Sequence, residues 1–284
     1  MDADIILPPK SQILQAFQAA LDKRVVLFTG LSGVGKSLYI QQFAKLAASA
    51  GRTVHLLQWD VTREAFQAPQ VMAKYPEIDG VTHPMIRKAV GLWTRQGVVD
   101  WHTQYSDPKH ILIGELPIIG NRLVELVQRG EDEAESLLAG SQTQFFVPVP
   151  SRAVRAHIVG CRAQSIANPS HEREASDAPP AVVDSMWQQI AELALSLGLE
   201  ATADGGDYDP ELYAGAYRYL LQHRHGEILH IDEVLPTQGS VYELDVIASE
   251  LAASEAQVAQ IFSDLEARLS EAQVTQMTDQ WHVL

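Results

Sequence analysis

The sequence is poor in cysteine, poor in positive charge and free of long apolar runs. Cys161 is the only cysteine among 284 residues, which excludes an intrachain disulfide and a cysteine-based zinc site. Lysine and arginine total 21 against 36 acidic residues, for a net charge of −15. That balance argues against general binding to nucleic acid or to an anionic membrane, which needs clustered positive charge. No apolar stretch approaches the roughly 20 residues of a membrane-spanning helix. The opening "MDADIILPPK" is acidic and too short in apolar length for a secretion signal. A reducing, cytoplasmic setting is therefore the expectation. No repeat or low-complexity tract is visible. The hydrophobic content of 46 % is ample for one large domain, or for a domain with an appendage.

Residues 11–21 carry Ile13, Phe17, Ala20 and Leu21 at helical spacing, so an amphipathic helix is expected there. "VVLFT" (25–29) reads as a short buried strand. A glycine-rich run follows, and then "SLYIQQFAKLAAS" (37–49) reads as a helix closed by Gly51. "TVHLLQW" (53–59) is a second strand ending at Asp60. Strand, loop, helix, strand is the opening of a parallel α/β sheet. Further strands are predicted at 110–115, 143–149 and 227–232, giving about five. The roughly fifty residues between the second and third strands are long for a crossover, and a helix is expected there around 84–94. "NPSHEREASDAPP" (168–180) reads as a mobile loop, 181–198 as a helix closed by Gly198, and 200–210 as a linker. Residues 207–284 hold 3 arginines, no lysine and 14 acidic residues. Within them, 245–269 reads as two helices about a turn. The expected organisation is a core over 1–206, with an insert at 61–109 and a lid-like segment at 150–180. An acidic helical extension, 207–284, carries the last core strand.

The glycine run is Gly30-Leu31-Ser32-Gly33-Val34-Gly35-Lys36-Ser37-Leu38. Gly-x-x-x-x-Gly-Lys-Ser spacing, a preceding strand and a following helix coincide. Glycines let backbone N–H groups turn inward around phosphate oxygens, and the helix N-terminus adds its dipole at the same spot. An incidental glycine turn is the plainer alternative. This stretch resembles the phosphate-binding loop (Walker A motif) of the P-loop NTPases, over residues 24–50. The resemblance implies a three-layer α/β fold, ATP and Mg²⁺ as cofactors, Lys36 on the β- and γ-phosphates and Ser37 on the metal.

The base-reading Asn-Lys-x-Asp of GTPases is absent, and the apolar run "ILIG" ends in Glu115 alone rather than in Asp-Glu. The layout resembles the small-molecule kinase branch: nucleotide kinases, adenylylsulfate kinases and zeta-toxin-like kinases. That resemblance implies three sets of site residues. Asp60, at the carboxyl end of the second strand, orients or deprotonates the acceptor or holds the metal with Ser37, or else it only starts the next helix. Glu115, at the end of the third strand, holds Mg²⁺ or serves as the base, or is a solvated strand end. Arg152, Arg155 and Arg162 would lie within an arc of about 80° on one helix and clamp the transferring group, or form an ordinary solvated face. His157, Arg173 and the loop to Pro180 would close with them.

For the acceptor side, Trp59, Trp93, Trp101 and Tyr105 are candidates to stack on a base, and Arg63, Arg87 and Lys88 to meet a phosphate. For any single one of these aromatics, a core or half-core place is the plainer expectation. His83 and His102 lack partner ligands at a recognised spacing. The tail imitates a helix-turn-helix, but its negative charge opposes groove binding; it fits packing on the core, a protein partner or self-association. The expected activity is ATP- and Mg²⁺-dependent phosphoryl transfer to a small molecule. A regulatory ATPase coupled through the tail and a non-catalytic nucleotide-binding protein are the alternatives.

Overall fold

The computed structural model describes residues 5–78, 80–200, 207–237 and 239–284. Six parallel strands form one sheet in the order β5-β4-β1-β3-β2-β6: β1 (Val25–Thr29), β2 (Thr53–Gln58), β3 (His110–Leu116), β4 (Thr143–Pro150), β5 (Gly226–Ile231) and β6 (Ile247–Glu250). The central strands are buried on both faces, as parallel sheets covered by helices must be. Val26 and Phe28 of β1 face one layer, and Val25 and Leu27 face the other. The first layer holds α1 (Gln12–Ala19) and α2 (Lys36–Ser49), packed through a cluster of Phe17, Phe28, Phe43 and Phe146. Their ring centroids lie 5.2–6.5 Å apart, half of the pairs edge to face and half tilted. Ser11 caps α1, accepting from the Leu14 N–H.

Between β2 and β3 the chain forms α3 (Trp59–Glu64), α4 (Pro69–Lys74) and α5 (Pro84–Gln104). The helix expected around 84–94 thus runs on for a further ten residues. α5 packs on the second face of the sheet. Its Gly91 admits Glu125, whose carboxylate would collide with any Cβ there. Short α6 (Glu133–Leu138) precedes β4. After β4 come α7 (Arg152–Ala167), α8 (Pro180–Ser196) and α9 (Pro210–Leu220). The 168–180 segment is a loop with one 3₁₀ turn, Glu172–Ser176. Of the linker expected at 200–210, residues 201–206 lie outside the described residues. Pro210 opens α9, which Asp209 caps by accepting from Glu211 and Leu212 N–H groups.

Two expectations about strands and tail are corrected. The sheet has six strands rather than about five, and the sixth falls where a helix was expected. Residues 247–250 pair with Val54, His55 and Leu56 of β2, and the Leu251 N–H donates to the Leu56 carbonyl at 2.8 Å. The helices after it, α10 (Glu255–Arg268) and α11 (Glu271–Asp279), pack against α5. Phe262 of α10 is 7 % exposed and meets Phe66 and Tyr75 at centroid distances of 6.1 and 5.6 Å. Lys74 and Tyr75 both reach Glu266, at 2.6 and 2.9 Å. These contacts make the tail a wall of the core. Phe262→Ala should therefore cost about 3–5 kcal/mol, read as a lower urea midpoint at unchanged slope. A tail that merely hung from the domain would leave the midpoint in place.

Candidate functional site

Open parallel sheets collect ligands at the carboxyl ends of their strands, and the glycine run lies there, between β1 and α2. Gly30, Gly33 and Gly35 all have positive φ, at +151°, +79° and +88°. A Cβ on Gly30 would strike the Tyr213 hydroxyl, which itself accepts from the Leu31 N–H at 3.2 Å. The turn thus requires glycine for both backbone and space. Gly35 stands at the N-cap of α2 and supplies no capping side chain, so the first-turn N–H groups of that helix have no side-chain acceptor. Ser32, Ser37 and Leu38 are half-buried, whereas Leu31 and Val34 are fully buried anchors. Val159 of α7 and Val183 of α8 close over the loop at Gly33.

Lys36 opens α2 and is buried. Its Nζ donates to the Leu31 carbonyl at 2.8 Å and lies 3.3 Å from Glu115 Oε1. The sheet register makes that reach possible, because Phe28 of β1 and Gln58 of β2 both pair with Glu115 of β3. Burial pushes the Lys36 ammonium below its usual range, and Arg162 adds to the fall; Glu115 and Asp177 oppose it. Arg162 is paired with Asp177 and also donates to the Ala178 carbonyl at 3.1 Å. Tyr242 donates to the same Asp177 oxygen at 2.6 Å. Burial and the nearby Glu115 raise the Asp177 carboxyl, while Arg162 and the Tyr242 hydroxyl lower it, with a net rise.

Asp60 lies in the first turn of α3, one strand over from Glu115. It is the second residue of the helix, and Gln58 holds the cap position. Its side chain is 80 % exposed, yet the surrounding protein and the Glu115 charge raise its pKa. Arg63 is 3.4 Å from Asp60 Oδ1, and Arg122 opposes the rise from further off.

Arg122, which the sequence did not single out, sits on a buried loop after β3. In this loop Ile118, Gly120, Asn121 and Leu123 all have φ between +60° and +65°. Side chains other than glycine rarely adopt that region, least of all a β-branched one. A small antiparallel bridge pins it, with Ile118 N–H donating to the Arg122 carbonyl at 2.8 Å and the return bond at 3.1 Å. The one local signal was the Gly120-Asn121 dipeptide, a turn former.

The structure separates the remaining candidates. Lys36, Glu115, Asp60 and Arg162 come together. Arg152 instead ties α7 to α9, donating to the Tyr208 carbonyl at 3.0 Å and pairing with Asp209 at 3.1 Å. Arg155 stacks over Tyr208 and Trp187, at 4.3 and 5.8 Å. The one-sided clamp of three arginines is therefore not formed; burying Val154 on α7 turns Arg155 inward as well. Lys88 is spent on a buried pair with Glu125 at 2.9 Å. Trp59, Trp93 and Trp101 are core, and half-buried Tyr105 packs on His55. His83 caps α5, His102 is partly buried, and His157 lies 3.4 Å from Cys161. Arg173 bridges Gln58 and Glu250, at 2.8 and 3.3 Å.

Among the described residues, no group of three or more His, Cys, Asp or Glu is placed to hold a metal. A cavity of about 450 Å³ lies between the end of α5 and residues 133–142, away from Lys36. A smaller one, about 70 Å³, lies beside α2 at Leu38, Gln41 and Lys45. Neither is at the glycine loop, which α7 and α8 cover. No protein-family model matches the chain, and no curated protein is significantly similar to it.

The raised Asp60 carboxyl gives a signed test. The folded state holds that proton more tightly than the unfolded chain, so its contribution to stability is present below the ordinary pKa of 3.8 and fades as pH rises through the folded value. Asp60→Asn should accordingly gain melting temperature relative to the unaltered protein as pH goes from about 4 to 7. A purely helix-supporting aspartate predicts the opposite, because its charged form would be the stabilising one.

Proposed function

We propose that the protein binds ATP with Mg²⁺ and transfers a phosphoryl group to a small molecule, in the manner of the P-loop kinases that its glycine run resembles. One observation carries the reading. Lys36, at the head of α2, lies 3.3 Å from Glu115 at the end of the neighbouring central strand, with Asp60 at the end of the next.

The residues fit the ligands. Three positive-φ glycines shape the turn, and the N-terminus of α2 has no side-chain cap. Both suit a chain of phosphates. A hydroxyl and carboxylates, at Ser37, Glu115 and Asp60, are the hard oxygen donors that Mg²⁺ prefers. One or two carboxylates are enough for it when phosphates and water complete the shell. Bound ATP supplies the phosphoryl group, and bound Mg²⁺ supplies counter-charge.

The chain's own groups do the rest. Lys36 provides a buried cation inside the loop, in exchange for its hydrogen bond to the Leu31 carbonyl. Arg162, approaching from α7, stabilises charge on the transferring group once it leaves Asp177. Asp60 accepts the proton of the acceptor hydroxyl; a carboxylate with a raised pKa is the stronger base. Glu115 is held against Lys36 and would share the metal with Ser37 when it is bound, which leaves the base role to Asp60. The ATPase reading needed the tail as a coupling element, but the described part of the tail is spent on β2 and α5.

In single-turnover assays over a panel of nucleosides, nucleotides and sugar derivatives, Asp60→Asn should keep its ATP affinity within about threefold. It should lose transfer by about 10²–10⁴. Lys36→Met should lose ATP binding. Undiminished transfer in Asp60→Asn removes Asp60 from the chemistry. Hydrolysis of ATP with no acceptor phosphorylated would favour the ATPase.

A further inference from the structure

Three arginines from three separate segments lie near one another, two of them close enough to act on Asp60. They are Arg63 of α3, Arg87 of α5 and Arg122 of the strained loop. Arg87 Nη1 donates to the Gly120 carbonyl at 2.6 Å, and Arg122 Nη1 donates to the Ile119 carbonyl at 3.1 Å. Both Nη1 atoms stand close around Gly120: a Cβ there would lie 3.2 Å from that of Arg122 and 3.4 Å from that of Arg87. Arg63 donates to the Thr82 hydroxyl at 3.2 Å and reaches Asp60 at 3.4 Å and Glu77 at 3.8 Å.

These groups are under-used. A guanidinium carries five N–H donors, yet among the described residues Arg87 and Arg122 make one hydrogen bond each. The Nε atoms of Arg63 and Arg87 are buried with no partner. Neither Arg87 nor Arg122 has a carboxylate of the described residues within 4 Å; Asp279 acts on Arg87, and Asp60 on Arg122, only from further off. Burial and the mutual repulsion of the three push Arg122 down to about 10. The Arg95 network behind them shows the contrast, since Arg95 meets Asp132 and Glu135 at 2.5 and 2.7 Å. Like charges crowded together with idle donors, on a loop in costly backbone conformations, stabilise nothing by themselves. Forked donors around one spot match a tetrahedral oxyanion.

We infer that Arg63, Arg87 and Arg122 form a subsite for a dianionic oxyanion, so that the acceptor is a small molecule bearing a phosphate monoester or an equivalent group rather than a neutral nucleoside or sugar. The subsite stands on these arginines alone. Only its assignment to the acceptor rests on the transfer reading.

Phenyl phosphate is the probe, and phenyl sulfate, with one charge fewer, the comparator. Binding is read by calorimetry and melting temperature on the full chain, with a ligand-free melt to establish folding. Phenyl phosphate should bind, phenyl sulfate should bind more weakly, and Lys36→Met should leave phenyl phosphate binding in place. Arg122→Met and Arg63→Met should each weaken it at least about tenfold while ATP binding persists. Should Arg122→Met fail to fold, Arg63→Met decides, because that side chain is partly exposed. No phenyl phosphate binding, binding unaffected by both arginine variants, or binding lost with Lys36→Met would each overturn the subsite. ATP bound without phenyl phosphate defeats the subsite alone. Arginine-dependent binding of phenyl phosphate without ATP binding leaves the subsite standing and defeats the transfer reading.

Discussion

The arrangement depends on one buried cation. Lys36 is 5 % exposed, and an ammonium without oxygen partners at that depth would be prohibitively costly. Two oxygens hold it, the Leu31 carbonyl from its own loop and the Glu115 carboxylate from the next strand. The first requires the loop to fold back on itself, which needs the positive φ of the glycines. The second requires β1 and β3 to be neighbours in register. The order β4-β1-β3-β2 supplies this by sending the chain outward to β2 and then back between β1 and β2. The local turn and the long-range topology thus meet in a single side chain, and a one-residue slip of β3 would point Glu115 at the opposite face.

Around that cation the charges alternate. Lys36 and Arg162 lie on one side, Arg63, Arg87 and Arg122 on the other, and the carboxylates of Glu115 and Asp60 stand between. Burial first, and then the Glu115 charge, raise the Asp60 carboxyl against the opposing pull of Arg63 and Arg122. Two cationic groups divided by two carboxylates are suited to holding two anions apart until they react, with a proton acceptor at the boundary. The segment beside Lys36 and Arg162 is itself tied down. Glu174 accepts from Ser240 at 2.6 Å, Tyr242 meets Asp177, and Arg173 reaches Gln58 and Glu250. Side-chain contacts between the 170–178 segment and the 240–250 segment thereby join the apolar cover that Val159 and Val183 place over the glycine loop. Contacts of that kind exchange readily with a phosphate.

Where sequence was legible, the determinants were local. The spans 25–29, 53–58, 110–116, 143–150 and 226–231 are apolar runs bounded by turn residues, and each stands as a strand within a residue or two of its reading. The helix across 152–167 was also readable from its period. β6 was not, because its residues favour helix and only the open edge of β2 makes them extended; tertiary pairing overrode propensity. α9 had a usable signal in Asp209-Pro210, a cap followed by proline at the first helical position. For the site, Lys36, Asp60 and Glu115 were findable because strand ends predict where ligands gather. The division of the arginines was not. Whether Arg152, Arg155 or Arg162 faces Lys36 depends on where α8 and α9 press against α7, and Trp187 and Tyr208 take Arg155 for themselves.

The unevenness of satisfaction across the molecule is informative in its own right. Away from the site, several buried charges are closely matched: Lys88 with Glu125, Arg95 with Asp132 and Glu135, Arg224 with Glu135 and the Leu126 and Gln128 carbonyls, although Arg24, Arg155 and Glu125 each keep a buried polar atom without a partner. At the carboxyl ends of β2 and β3 the matching lapses. Asp60 has a raised pKa, Arg63 and Arg87 have buried donors without acceptors, and four residues of one short loop are left-handed. A chain able to satisfy Arg95 so fully could have neutralised this corner with one further carboxylate. Leaving it cationic and strained costs stability, as sites that await a ligand commonly do. The cost falls around Asp60 rather than around Lys36, whose charge is already compensated. The incoming anion with most to offer this fold is therefore the one that would sit beside Arg122.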